Sequence, residues 1–118
     1  MYKIYLRDED GKNKKPFSVP FFSTKHYRRA LEVMEQINND KVTINDIEIL
    51  SAFIVEVFRN QFTEDELQAG VSKLELTEIA GTMFSMILYD MTEEQVKEAK
   101  NKALQVGKEE KEKTANLG

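Results

Sequence analysis

The segment Asn45–Arg59, NDIEILSAFIVEVFR, is the longest apolar-rich stretch of the chain, and it limits what the remainder can become. At about 100° per residue on a helix, Ile47, Leu50, Phe53, Ile54, Val57 and Phe58 cover one broad face. Asn45, Glu48, Ala52, Glu56 and Arg59 are left on a narrow polar stripe. A helix so patterned has to be packed on most sides, so the other elements must be arranged around it. With 118 residues the chain is long enough for one buried core and leaves little room for a second. The expected architecture is mainly α: an N-terminal β-hairpin, a compact bundle of about four helices, and a projecting C-terminal helix.

The pattern before the central helix is of period two and then of period 3.6. Tyr2, Ile4 and Leu6 alternate with Lys3, Tyr5 and Arg7, Asp10-Gly11 offers a turn, and Phe17, Val19 and Phe21 alternate again. This reads as a hairpin over residues 2–21 with a basic loop from Lys12 to Lys15. Pro16 and Pro20 are each expected to remove a ladder donor, which makes the second strand short or an edge. The Asp8-Glu9-Asp10-Gly11 cluster resembles a calcium loop. Such a loop needs a bidentate Glu at its twelfth position, and counting from Asp8 that position is Val19, so the hairpin turn is preferred.

Ser23 or Thr24 caps a helix over about 24–38, with Tyr27, Ala30, Leu31, Met34 and Ile37 on one face, Arg28 and Glu32 paired on another, and Asn38-Asn39-Asp40 as its break. The central helix, about 45–59, has Thr43 or Asn45 as its cap. Thr63-x-x-Glu66 and Ser72-x-x-Glu75 are capping boxes opening helices at about 63–69 and 73–89. Gly70 closes the first of these, and Leu76, Ile79, Ala80, Met83 and Ile87 repeat at helical spacing along the second. Gly81, inside that helix, marks either a close approach of another backbone or a flexible spot. Residues 1–90 form the expected domain. A third capping box, Thr92-x-x-Gln95, opens an extra helix over 91–107 with a thin stripe of Val96, Ala99, Ala103 and Val106. Residues 108–118 are expected to be disordered, because mixed charge without apolar anchors cannot offset chain entropy.

Seventeen basic against 21 acidic residues give a net charge of −4. The chain therefore lacks the cationic excess that draws proteins to phosphate backbones or anionic lipid, and neither nucleic acid nor membrane is an expected partner. No apolar run approaches the roughly 20 residues of a membrane span, and Met1-Tyr2-Lys3-Ile4 does not open a signal peptide. With no cysteine, these features point to a cytoplasmic protein. A helix-turn-helix reading finds only Lys73 as a basic residue between Thr63 and Asp90, where groove binding wants several. His26, the single histidine, lies on a first helical turn and reads as a solvated surface residue, without the orienting partner an activated base requires. The five glycines are scattered and make no phosphate loop. No residue set for catalysis, for a metal or for a cofactor emerges, and the chain is not expected to be an enzyme.

Binding remains. Phe21 and Phe22, and the series Met83, Met86, Tyr89 and Met91, are more apolar than one core face needs. They either complete the core or present a partner surface, since Met adapts to varied partners. Self-association is a further expectation from such patches, and an exposed hairpin edge is an alternative route to a partner strand.

The opening YKIYLRDEDGK…KPFSVPFFSTKHYRRALEVMEQI, followed by IEILSAFIVEVFRNQFTEDELQAGV and a closing amphipathic helix, resembles the tail assembly chaperones of long, non-contractile-tailed phages and prophages of Gram-positive bacteria. The most telling piece is Val57-Phe58-Arg59-Asn60-Gln61-Phe62-Thr63, an aromatic helix end leading into a capped short helix with Asp65 and Gly70. The resemblance covers roughly residues 1–90 and rests on packing and capping motifs. It implies a protein of the host bacterial cytoplasm that binds the tape measure protein during tail construction, keeps it soluble and extended, helps bring tail tube protein to it, and is absent from the finished virion. It also implies a longer product made by ribosomal frameshifting whose extra domain contacts the tube protein. The run Lys108-Glu109-Glu110-Lys111-Glu112-Lys113 calls for A-rich codons of the kind on which ribosomes slip. A small cytoplasmic adaptor or regulator is the alternative reading.

Overall fold

A computed structural model of the chain describes residues 2–37 and 42–102. Its elements are β1 (Tyr2–Arg7), β2 (Lys14–Val19), α1 (Thr24–Gln36), α2 (Ile44–Val57), α3 (Glu64–Gly70), α4 (Lys73–Tyr89) and α5 (93–102). The hairpin and the mainly helical remainder follow the expected order. The helix break expected at 38–40, the last part of the 91–107 helix and the 108–118 tail lie outside the described residues.

The two strands pair antiparallel, with Tyr2 opposite Val19 and Arg7 opposite Lys14. The turn is closed by the Asp8 N–H donating to the Asn13 carbonyl at 2.9 Å, and Gly11 turns the chain at φ 71°. The Asp8 carboxylate accepts from the Lys12 N–H at 3.1 Å and from Asn13 Nδ2 at 3.0 Å, so its oxygens are engaged by the turn. Because antiparallel pairs alternate between bonded and non-bonded, and Asp8/Asn13 is bonded, Leu6/Lys15, Ile4/Phe17 and Tyr2/Val19 are the bonded pairs that follow. Tyr5/Pro16 is a non-bonded pair. The expectation that Pro16 removes a ladder donor is thereby corrected: its missing N–H would have faced the outer edge. Pro20 lies beyond the strand end.

Tyr2, Ile4, Leu6 and Val19 turn one face of the hairpin onto α2, whose Phe53, Ile54 and Val57 are fully buried together with Phe58. An aromatic chain links the hairpin to the end of α2: Tyr2 to Phe58 (6.2 Å between centroids), Phe58 to Phe62 (5.5 Å) and Phe62 to Phe17 (4.9 Å). On the other side Phe53 stacks on Phe84 of α4 at 5.2 Å. The segment Val57–Thr63 joins these layers through an unusual backbone. Arg59 and Asn60 both have positive φ, 54° and 59°, a conformation uncommon for side chains other than Gly. Gln61 Nε2 then donates to the Ser18 carbonyl on the outer edge of β2 at 2.9 Å.

All five helices of the described residues begin with a capping box. Those at Thr63/Glu66, Ser72/Glu75 and Thr92/Gln95 are as read. The other two use unusual partners: Asp46 for Thr43 and His26 for Ser23. His26 is therefore not the solvated residue expected. It is buried, its Nδ1 accepts from the Ser23 N–H at 3.1 Å, and its own N–H donates to Ser23 Oγ. Burial pushes its pKa below the usual imidazole value, the Arg59 charge adds to that effect, and Glu56 opposes it.

The glycines are also reassigned. A Cβ on Gly81 would meet nothing within 4 Å, so no other backbone approaches there. The close approach is at Gly70, where a Cβ would lie 3.0 Å from the Arg7 carbonyl oxygen and 3.0 Å from Leu6 Cβ. This packs the end of α3 onto β1, and Arg7 fixes the junction by a forked pair with the Glu75 carboxylate, its Nη2 at 3.0 Å from Oε2. Of the stripe expected on α5, Val96 is buried but Ala99 is exposed, and Ala103 and Val106 lie outside the described residues; Lys100 Nζ reaches Thr82 Oγ1 at 3.3 Å.

Candidate functional site

An exposed apolar surface lies on α1 and the end of α4, and it arises from how α1 is turned. The expected inner face was Tyr27, Ala30, Leu31, Met34 and Ile37. In the structure the buried set is His26, Ala30 and Val33, with Ile37 half-buried. The helix is rotated because His26 is drawn inward as the capping partner of Ser23, and Ala30 and Val33, one and two turns further on the same side, follow it into the core. Tyr27, Leu31 and Met34 are thereby left 44%, 43% and 46% exposed. Spaced four and three apart, they form one stripe. The opposite flank of α1 is polar and tied down: Arg29 Nε donates to Glu56 of α2 at 3.1 Å and its Nη1 to Glu32 at 3.2 Å.

At its N-terminal end the stripe runs into a shallow depression lined by Phe22, Tyr27, Met86, Ile87 and Met91. Its position follows from the end of α4, where Asp90 takes a left-handed conformation at φ 52° and turns the chain toward α5. Met91 is left half-buried beside the depression. Phe22 is half-buried between Tyr2 and His26, each ring 6.4 Å away. The six residues singled out in the sequence therefore divide. Phe22, Met86 and Met91 line the depression, and Tyr89, one helical turn beyond Met86, is 69% exposed. Phe21 is 59% exposed but points to the α2–α3 turn, its ring 5.4 Å from the Arg59 guanidinium. Met83 is fully buried and belongs to the core, because its position on α4 faces the same interior as Leu76, Ala80 and Ile87.

Tyr27, Leu31 and Met34 were missed as surface residues. The signal was present in α1, whose apolar positions from Val33 around to Leu31 cover an arc wider than a single packing face needs.

Among the described residues two titratable groups are strongly shifted. Glu75 is held at about 2, far below the usual carboxylate range, chiefly by its hydrogen bonds from Arg7 and from the Ser72 backbone. The Tyr2 phenol is pushed up to about 12 by burial and by the Glu93 carboxylate. Both are structural contacts. Among the described residues no group of three His, Cys, Asp or Glu side chains is arranged to hold a metal ion, and no helix is long and apolar enough to cross a membrane. What the surface offers is contact: mobile thioethers and aromatic rings, which adapt to apolar partners.

Comparison with curated proteins and with solved structures returned no significant match. The sequence profile of one family, described as phage tail chaperone protein, matches residues 1–104. That stretch takes in the hairpin, the four-helix body, the α1/α4 surface and α5, and the chain belongs to the phage tail chaperone family.

Proposed function

We propose that the protein is a tail assembly chaperone that binds the tape measure protein while the tail is built, holds it soluble and extended, and helps to recruit tail tube protein. The observation that carries this reading is the Tyr27–Leu31–Met34 stripe and its continuation into Phe22, Met86 and Met91. A small monomeric domain seldom leaves such residues contiguous and exposed unless a partner covers them. A shallow apolar surface without a deep pocket suits a client with many similar helical segments, because weak contacts repeated along one chain sum to firm binding and are still released one at a time. On this reading the protein works in the host cytoplasm, is displaced as tube subunits close around the tape measure, and is not retained in the virion. A longer frameshifted product would then carry the main contact with the tube protein.

Co-expression tests the reading. The tape measure protein of the same phage should stay soluble and co-purify with the wild-type chaperone. Leu31→Lys/Met34→Lys changes two exposed side chains, so it should fold as the wild type does and leave the tape measure protein insoluble. A variant that still solubilises the client would remove this face from the account.

A further inference from the structure

The geometry points to a second client site, a cleft between the hairpin and α3 that takes an amphipathic helix carrying acidic residues along one flank and basic residues along the other. This inference rests on the chaperone reading above and adds the place and chemistry of a client contact. The cleft encloses about 570 Å³ and lies on a different part of the molecule from the α1/α4 face. Leu6, Phe17 and Ala69 make its apolar floor. On the β2 side the cleft is bordered by Lys15, which shares the sheet face of Leu6 and Phe17, and by its neighbour Lys14, on the α3 side by Asp65 and Glu66, and at the hairpin turn by Glu9.

Three observations select the occupant. First, the opposed charges are held apart. Arg7 is engaged by Glu75 and Asp8 by the turn, but among the described residues no ion pair joins Lys14 or Lys15 to Asp65 or Glu66. Glu66 accepts from the Thr63 N–H in its capping box and the Lys15 ammonium lies 5.5 Å from the Phe17 ring centroid, but neither contact neutralises the charge, so each side still presents its sign to a partner, and only a partner with both signs, oppositely placed, complements both. Second, an added strand is disfavoured. On the outer edge of β2, Pro16 has no N–H and the Ser18 carbonyl is taken by Gln61. On the β1 side, Gly70 abuts the backbone of Arg7. An occupant must then satisfy its own backbone, which a helix does. Third, the floor is apolar and lies between the two charged walls, matching the order acidic flank, apolar ridge, basic flank around a single helix.

The test uses the full chain and overlapping peptides covering the tape measure sequence of the same phage, with binding read by fluorescence anisotropy and peptide helicity by circular dichroism. Ala69→Trp fills the floor from an exposed helical position, and Lys14→Glu/Lys15→Glu reverses the basic wall. The captured peptides should become helical, carry the stated charge order, and bind more weakly at high salt. Each variant should weaken them by at least about tenfold. A peptide with its acidic flank changed to lysine should bind Lys14→Glu/Lys15→Glu better than it binds the wild type. If the variants bind as the wild type does while Leu31→Lys/Met34→Lys does not, the cleft is overturned and the chaperone reading stands. Captured peptides that bind in extended form, or cleft variants that reduce self-association or tube protein binding instead, overturn the stated occupant. If the wild type binds neither the peptides nor the intact tape measure protein, the chaperone reading falls and this inference with it.

Discussion

Gly70 and Gly81, both helical, should respond to the same substitution with opposite signs. At Gly70 an added methyl would lie 3.0 Å from the Arg7 carbonyl oxygen, 3.0 Å from Leu6 Cβ and 3.2 Å from the Arg7 nitrogen. Ordinary contact begins several tenths of an ångström further out, and none of these atoms is the end of a flexible side chain. They belong to β1, which is fixed by pairing with β2 and by the core contacts of Leu6. Overpacking of this kind costs about 1–3 kcal/mol. The gain in helix propensity recovers a fraction of about 1 kcal/mol, since Gly70 is the last residue of α3. The net expectation for Gly70→Ala is a loss of about 1–2 kcal/mol, or roughly 3–8 °C in Tm for a domain of this size. Gly81 lies in the middle of α4, is exposed and would meet nothing. Gly81→Ala should therefore stabilise by up to about 1 kcal/mol. Urea denaturation of the two variants beside wild type is the assay, with the slope m unchanged if only stability moves. A Gly70→Ala protein as stable as the wild type, or two variants shifted in the same direction, would refute the packing described for the β1–α3 junction.

Three further predictions concern charge and surface. Because the folded-state pKa of His26 is lowered, neutral His26 contributes stability that is complete above the ordinary imidazole pKa of about 6.5 and is lost as pH falls below it. Tm should drop between neutral and mildly acid pH, and His26→Gln, which can keep the capping box, should flatten that drop; an unchanged profile would contradict the Nδ1 assignment. Glu75, held at about 2 against an ordinary value of 4.5, contributes stability that is present above pH 4.5 and lost as pH falls toward 2. Glu75→Gln should remove that acid-limb slope in a thermal melt series, and a retained slope would place the titration on another carboxylate. Leu31→Lys/Met34→Lys should change Tm by no more than about 2 °C, and a larger fall would mean that these side chains support the core.

The order of elements was legible because it rests on local chemistry. Three capping boxes of the common type, the Asp-Gly turn and the apolar face of α2 each act over a few residues, and each appears where the pattern placed it. The rotation of α1 was not legible. It depends on His26 serving as a capping partner, which the usual Glu/Gln pattern does not signal, and on Val33 competing successfully with Leu31 for the interior. The reassignment of Gly81 and Gly70 has a similar cause, since a helix pattern marks a glycine without saying which of its sides another strand will meet. For the same reason Phe22, Met83, Met86 and Met91 were grouped together as apolar residues in excess of one core face, while Met83 is separated from the others only by its direction on α4. The paired positive φ values at Arg59 and Asn60 show why VFRNQFT is distinctive. It encodes the turn that carries the α2 end onto the hairpin through Phe62 and Gln61.

The most direct measurement of the central claim is complementation in the phage itself. A phage or prophage lacking this gene should make tailed particles when supplied with the wild-type protein, counted by electron microscopy, and immunoblots should find the protein in the lysate and not in purified virions. Leu31→Lys/Met34→Lys, expressed to the same level and folded, should yield heads without tails. Full rescue by that variant, or the protein present in virions in amounts comparable to a structural tail component, would contradict the account.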